Sequence, residues 1–480
     1  MSQSLERTVP AADVIRKGEA ITLPNEMKID DAIAVLLMRK KYEEEEVVII
    51  ETFNAFPYDG ACAFDDVLTE VYGWAPAVAR ETWMGKQLPQ LMSIEIGYEQ
   101  VRQVPWGDIQ IPGVEGKLTT GGTQKEGRWV FTLAAKVRRM SEGTIRALYV
   151  RVRERIKTHS IYRGKAIKLR FLDDDGDSLP MPQPKFLDTE SIRPEMLVYA
   201  ECVQRAIQTN LFTPISRPLD CLANGIPVKR GVLLGGIYGT GKTLAAAVAS
   251  KLAVAAGVTY VYIPRADELA HAIEFAKQYQ SPACVVFCED VDRVTAGERS
   301  VKMDDLLNTI DGIDAKNANI VVVLTTNHLE HINPAMLRPG RLDAVIEVTP
   351  PDAGAVQRLL RLYGGGAISA EEDLGEVGAH LAGQIPAVIA EVVRRAKLSQ
   401  LALQPAGTLV ERITALALLE AAETMKAQIA LLAGKPTKAE PDKLTAALQA
   451  AMGDAPVVLS MREHLEQARG DLARVKEAVA

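Results

Sequence analysis

Five cysteines occur in the 480 residues (Cys62, Cys202, Cys221, Cys284 and Cys288), an odd number with no C-x-x-C pair. Neither a thiolate metal site nor a disulfide framework fits that pattern, and reduced thiols in a cytoplasmic setting are the expectation. Aromatic residues are scarce at 5%. A basic excess is lacking too: the formal net charge is −7, so overall charge gives no argument for nucleic acid. The longest apolar run, from Leu244 to Val258, is broken by Ser250 and Lys251 and is too short to cross a bilayer, so no membrane association is expected. The opening segment carries Glu6 and Asp13 and does not read as a signal peptide. His328, His331 and His380 lack metal-ligand spacing and are expected to be structural.

What is present centres on Gly236 to Thr243, GIYGTGKT, which satisfies G-x-x-x-x-G-K-[ST] at every required position. The preceding GVLL (231–234) reads as a buried strand and the following alanine-rich run (244–254) as a helix, the setting that a phosphate-binding loop requires. Gly236, Gly239 and Gly241 permit backbone angles that let successive N–H groups curl around an anion at a helix N-terminus. Tyr238, Thr240 and Leu244 complete the expected nucleotide-binding stretch, with Lys242 reaching the outer phosphates and Thr243 offering its hydroxyl to Mg²⁺.

Downstream, the apolar strand CVVFC (284–288) ends in Glu289, Asp290 and Asp292. Carboxylates at the C-terminal end of a buried strand sit where open α/β sheets bind ligands. One acid, Glu289, is expected to hold Mg²⁺ together with Thr243, and the next, Asp290, to orient and activate the attacking water. A second apolar strand, IVVVLT (320–325), delivers Asn327 to the same edge, and NPAMLRPGRLD (333–343) presents Arg338 and Arg341 around a Pro-Gly turn, suited to stabilising charge on a transferring phosphoryl group. The alternation of strands and helices implies an α/β doubly wound core from about 190 to 350, and the phosphate loop implies a nucleoside triphosphate with Mg²⁺ bound there. A small helical lid follows at 351–432 and a helical tail at 433–480.

The N-terminal part reads as mixed α+β. Residues 1–88 form one region, in which Tyr58, Trp74 and Trp83 are either core or a recognition surface. Residues 89–185 form a strand-rich subdomain whose helix, expected at 144–159, lies in a basic stretch: twelve Lys or Arg and two acids between Lys136 and Arg170. That stretch is either a solvated face or a docking surface for an acidic partner or nucleic acid. The acidic run from Asp173 and the proline-rich LPMPQPKF after it read as a linker.

With these motifs in order, the segment from about 196 to 432 resembles the AAA ATPases, the group that includes proteasomal ATPases, katanin-type severing enzymes and FtsH-type proteases. VKRGVLLGGIYGTGKT, CVVFCEDVDRV, LLNTIDGI, LTTNHLEHINPAMLRPGRLD and IPAVIAEVVRRA carry the likeness. It implies a homo-oligomeric ring, commonly a hexamer, with ATP between subunits, Asn327 sensing the terminal phosphate, and Arg338 and Arg341 reaching the next subunit's ATP. Such rings remodel macromolecules, here a protein partner recruited by the N-terminal region.

Two departures bear on activity. The family's acidic pair is usually Asp then Glu, whereas this chain has Glu289 then Asp290, which implies slower hydrolysis or a swap of roles. Threading relatives carry an aromatic, aliphatic, glycine loop before the acidic strand, yet no glycine occurs from Val258 to Ala296. A nucleic-acid motor or loader and a nucleotide-gated scaffold with little turnover stand as alternatives to the remodelling ring.

Overall fold

The computed structural model describes residues 27–73, 80–82, 85–88, 90–173, 175–291, 318–329 and 342–425, with a short ribbon at 15–17 and 20–22. Trp74, Trp83, Asp292, His331, Arg338, Arg341 and the tail from 433 lie outside the described residues.

Two short antiparallel ribbons pair β1 (Ile15–Lys17) with β2 (Ala20–Thr22), and β4 (Arg80–Thr82) with β5 (Gly85–Gln87). Helix α1 (Ile29–Glu44) leads into β3 (Glu46–Phe53) and helix α2 (Pro57–Tyr72). Strands β6 (Leu91–Gly97) and β7 (Gln100–Pro105) form a hairpin, and β8 (Gly107–Ile109), β9 (Gly116–Lys125) and β10 (Arg128–Arg138) join β3 in an antiparallel sheet ordered β3-β10-β9-β8. Leu133, Ala135 and Val137 of β10 are buried in alternation, as expected of a sheet with one face on a core. Helix α2 lies on that face at Gly60, where a Cβ would come within 2.2 Å of the Phe131 ring. Tyr58 is buried in this core.

Helix α3 (Glu142–Thr158) buries Ile145, Leu148, Tyr149, Val152 and Ile156, a helical stripe, and turns its basic residues outward. Those residues meet acids: Arg146 with Glu142, Arg153 with Glu51, Arg155 with Asp66 and Lys157 with Glu154. Just upstream, Lys136 pairs with Glu46, Arg138 with Glu115 and Arg139 with Glu45.

The central sheet has seven strands in the order β12-β11-β14-β15-β16-β13-β17: β11 (Ala166–Lys168), β12 (Lys185–Phe186), β13 (Arg230–Gly235), β14 (Thr259–Ile263), β15 (Cys284–Cys288), β16 (Ile320–Thr326) and β17 (Ala344–Glu347). All neighbours are parallel except β12 against β11. This is the expected doubly wound core, followed by lid helices at Ala353–Gly364, Gly375–Leu381, Pro386–Ala402 and Ala415–Thr424 that pack on one another. One face of the sheet buries α4 (Glu201–Ile207), α5 (Thr213–Ser216), α6 (Pro218–Ala223) and α7 (Lys242–Ala255). The other face shares a continuous core with α8 (Leu269–Ala276) and the N-terminal elements.

Two sequence expectations change here. The boundary near 185 does not divide the sheet, because β11 and β12 precede it or straddle it and β11 pairs in parallel with β14. The proline-rich linker is thus a working part of the core: Phe186 is buried and the Arg265 guanidinium donates to the Asp173 carbonyl at 3.1 Å. Upstream of the nucleotide loop, a 3-10 turn at Pro194–Met196 precedes α4, and residues 197–200 between them run without helical structure.

The seam between the N-terminal region and the central core is aromatic and contains one buried carboxyl. Phe56 meets Phe275 edge-on at 5.3 Å, and Asp59 accepts from the Ser160 hydroxyl (2.8 Å), the Ile161 amide (2.8 Å) and the Tyr279 hydroxyl (3.0 Å). Burial pushes Asp59 up to about 6, against the opposing pull of these donors and of Arg163. A carboxyl raised on folding lends stability that is complete below its unfolded value near 4 and is lost as pH rises through about 6. A shift of that size corresponds to about 3 kcal/mol. In urea unfolding from pH 4.5 to 7, the wild type is expected to lose stability relative to Asp59→Asn by an amount of that order. Parallel pH profiles for the two proteins would contradict it.

Candidate functional site

The loop after β13 turns on three glycines with φ of +151° (Gly236), +78° (Gly239) and +100° (Gly241), a region that side chains disfavour. A Cβ on Gly236 would lie 2.3 Å from the Val348 carbonyl oxygen, so the close approach of these two segments also requires glycine. Gly241 is the N-cap of α7, whose first turn faces the loop. Lys242 is buried and folds back, donating from Nζ to the carbonyls of Gly236 (2.6 Å) and Ile237 (3.0 Å). Thr240 is buried and its hydroxyl donates to the Ile237 carbonyl at 3.0 Å; Leu244 packs into the core beneath the loop. Tyr238 is exposed, with its ring edge-on to His328 at 6.4 Å.

Strand register sets the rest. Leu234 and Gly235 of β13 lie opposite Thr325 and Thr326 of β16, and Cys288 of β15 lies opposite Leu324, so the three strands end at one edge. Glu289, one residue past β15, accepts from the Thr243 hydroxyl at 2.5 Å through Oε1 and from the Tyr262 hydroxyl at 3.1 Å through Oε2. The shorter of these lies in the charge-assisted range. Asp290 follows at φ +49°, an uncommon left-handed conformation outside glycine that costs about 1 kcal/mol. Its amide donates to the Thr325 hydroxyl at 3.0 Å, and its Oδ1 accepts from Asn327 Nδ2 at 2.9 Å. The two acids therefore face different partners: Glu289 the loop threonine, Asp290 the asparagine at the tip of β16.

Sequence reading passed over four contributors. The Tyr262 hydroxyl is pushed up to about 12 by burial and by the Glu289 charge, and it stays a donor at neutral pH. Tyr199 donates to the Gly241 carbonyl at 2.8 Å, Arg358 of the lid donates to the Tyr199 carbonyl at 2.6 Å, and Thr325 holds the Asp290 amide. Only strand parity hinted at Tyr262. Nothing local marked Tyr199 or Arg358, whose roles come from the lid lying over the loop, where Ile385 approaches within 3.2 Å of the Cβ position of Gly239.

The residues fit a nucleoside triphosphate with Mg²⁺. A glycine cradle at the start of a 14-residue helix and a buried ammonium suit phosphate oxygens. Thr243 and Glu289 supply two hard oxygen donors, few enough that phosphate and water must complete an octahedral shell. Among the described residues no group of three or more His, Cys, Asp or Glu forms a separate metal site.

A strand, phosphate loop and helix, with a carboxylate-tipped parallel strand one place removed in the same sheet, define a P-loop nucleoside triphosphatase core. More narrowly, residues 232–350 match the family described as "ATPase family associated with various cellular activities (AAA)", and the chain carries an AAA ATPase domain there. Such a domain implies ATP hydrolysis, and AAA ATPases generally bind ATP with Mg²⁺ and typically assemble into rings. The chain is 30% identical over 241 residues to the ATP-dependent zinc metalloprotease FtsH of Mycobacterium tuberculosis (strain ATCC 25618 / H37Rv), covering 46% of this chain and 30% of that protein. It is 33% identical over 187 residues to the 26S proteasome regulatory subunit 8 homolog of Schizosaccharomyces pombe (strain 972 / ATCC 24843), covering 35% of this chain and 46% of the relative. To the 26S proteasome regulatory subunit S10B homolog B of Arabidopsis thaliana it is 30% identical over 180 residues, 34% of this chain and 44% of that one. The chain thus spans less than half the length of these curated relatives.

Replacing Lys242 with alanine is expected to weaken ATP binding at least about tenfold in calorimetry while the far-UV spectrum is unchanged, since the ammonium is a point charge on the phosphates. Undiminished binding would place the nucleotide elsewhere.

Proposed function

We propose that the chain is an ATP-hydrolysing AAA ring protein, six subunits to the ring, that rearranges a protein partner recruited through its N-terminal α+β region in the cytoplasm. The observation that carries this reading is the division of the two carboxylates, Glu289 on the Thr243 hydroxyl at 2.5 Å and Asp290 on the Asn327 amide at 2.9 Å. Bound Mg·ATP would supply an electrophilic terminal phosphoryl group and a cation that neutralises its charge. Lys242 would exchange its carbonyl partners for the outer phosphates, and Thr243 and Glu289 would hold the metal. Asp290 would orient the attacking water and take its proton as the terminal phosphorus parts from the bridging oxygen and ADP leaves, with Asn327 fixing one carboxylate oxygen and facing the terminal phosphate. Arg338 and Arg341 are proposed to reach the ATP of a neighbouring subunit. The arrangement favours the metal-then-water order of the two acids over a swap of roles.

Rearrangement without threading suits the segment before the acidic strand. Only residues 264–283 separate β14 from β15, and they hold a short 3-10 turn and α8. Helix α8 is packed against the N-terminal region through Phe275 and, just beyond it, Tyr279. The alternative of a nucleic-acid motor is less favoured, because Arg153, Arg155, Lys136 and Arg139 are paired with acids of the same chain. Among the described residues no helix is long and apolar enough to cross a membrane.

Asp290→Asn is expected to lower kcat by about 10² or more with ATP affinity retained, as loss of a general base does. Unchanged turnover in that variant would overturn the assignment. Particle imaging with a non-hydrolysable ATP analogue should show six-membered rings, and ATP hydrolysis should be insensitive to added DNA or RNA. Strong salt-dependent stimulation by nucleic acid would instead favour the motor.

A further inference from the structure

The hydroxyl of Tyr262 lies 3.1 Å from Oε2 of Glu289, whose other oxygen is taken by Thr243. Glutamate in this position has one more rotatable bond than aspartate, and its terminal torsion is broad, so an unrestrained side chain would spread its oxygens over many positions. Tyr262 itself is held firmly. Across the sheet its Cα partners are Lys168 on β11 and Phe287 on β15. Its ring stacks on Phe287 at 5.6 Å and 23°, and the Lys168 ammonium lies 5.5 Å from the ring centroid on the other side. A cross-strand row of lysine, tyrosine and phenylalanine thus fixes the phenol, and the phenol in turn reaches over to the acid that follows the next strand.

We propose that Tyr262 is a positioning residue that restrains Glu289, so that a glutamate delivers its free lone pairs to the Mg²⁺ of bound ATP from a place beside the Thr243 hydroxyl. The inference depends on the Mg·ATP reading above and adds the residue that makes the longer carboxylate serviceable. Tyr262 touches neither nucleotide nor metal; it acts through Glu289 as outer partners of metal ligands do.

The test measures binding of a non-hydrolysable ATP analogue by calorimetry over a range of Mg²⁺ concentrations, in the full chain. Tyr262→Phe keeps the ring stack and removes only the hydroxyl. It is expected to raise the Mg²⁺ concentration at half-effect about tenfold while the affinity for the analogue in EDTA stays the same. Glu289→Asp shortens the side chain out of reach of the phenol, so adding Tyr262→Phe to it should shift the Mg²⁺ dependence by less than about twofold, the two effects being coupled. Unaltered Mg²⁺ dependence in Tyr262→Phe, an equal shift in both backgrounds, or a loss of Mg²⁺-free binding that marks Tyr262 as packing only would each overturn the proposal. A wild-type chain that takes up no analogue with or without Mg²⁺ would overturn the ATP reading itself, a result none of the other outcomes resembles.

Discussion

The site depends on a hydroxyl from one strand-loop-helix unit meeting a carboxylate from another. Thr243 belongs to the first turn of α7, which follows β13 and its loop, and Glu289 comes just after β15; between those strands lies β16, in register with both. Parallel strands that finish level place their following residues in one crevice, which is why a sheet of this order can hold polyphosphate chemistry at its edge. The same strand in the middle carries Thr325, Thr326 and Asn327, so it contributes the Asp290 amide's acceptor, an acceptor for the Gly236 amide and the partner of the Asp290 carboxylate. Both strands are buried at every position, so their apolar side chains fill the cores on the two faces of the sheet.

The N-terminal region is not a loosely tethered module in this structure. Its helix α2 is buried on nearly every side, against β10 and α3, and the seam towards α8 carries four aromatic rings, Phe56, Tyr162, Phe275 and Tyr279, as well as the Asp59 hydrogen bonds. The apolar area in such a seam ties the region to the helix that leads into the acidic strand.

The charge pattern around α3 depends on acids that its own segment does not contain. Within the stretch of twelve basic residues, Lys136, Arg153 and Arg155 meet Glu46, Glu51 and Asp66, which β3 and α2 supply from distant parts of the sequence. Exposed pairs of this kind add little stability singly, but each offsets part of the charge of the basic residue it meets.

Local pattern alone fixed much of the core. GIYGTGKT between a strand and a helix, CVVFC before two acids and IVVVLT before Asn327 are self-announcing, because apolar runs and glycine spacing are properties of neighbouring residues. The chain by itself also determined that Glu289 precedes Asp290, and hence that the longer acid comes first. Only the folded chain decided which acid meets Thr243 and which meets Asn327, that Tyr262 and Tyr199 belong to the site, and that β11 and β12 complete a sheet across an expected boundary. Those contacts join residues tens of positions apart through strand order and register, and neither quantity is encoded in the spacing of any one motif.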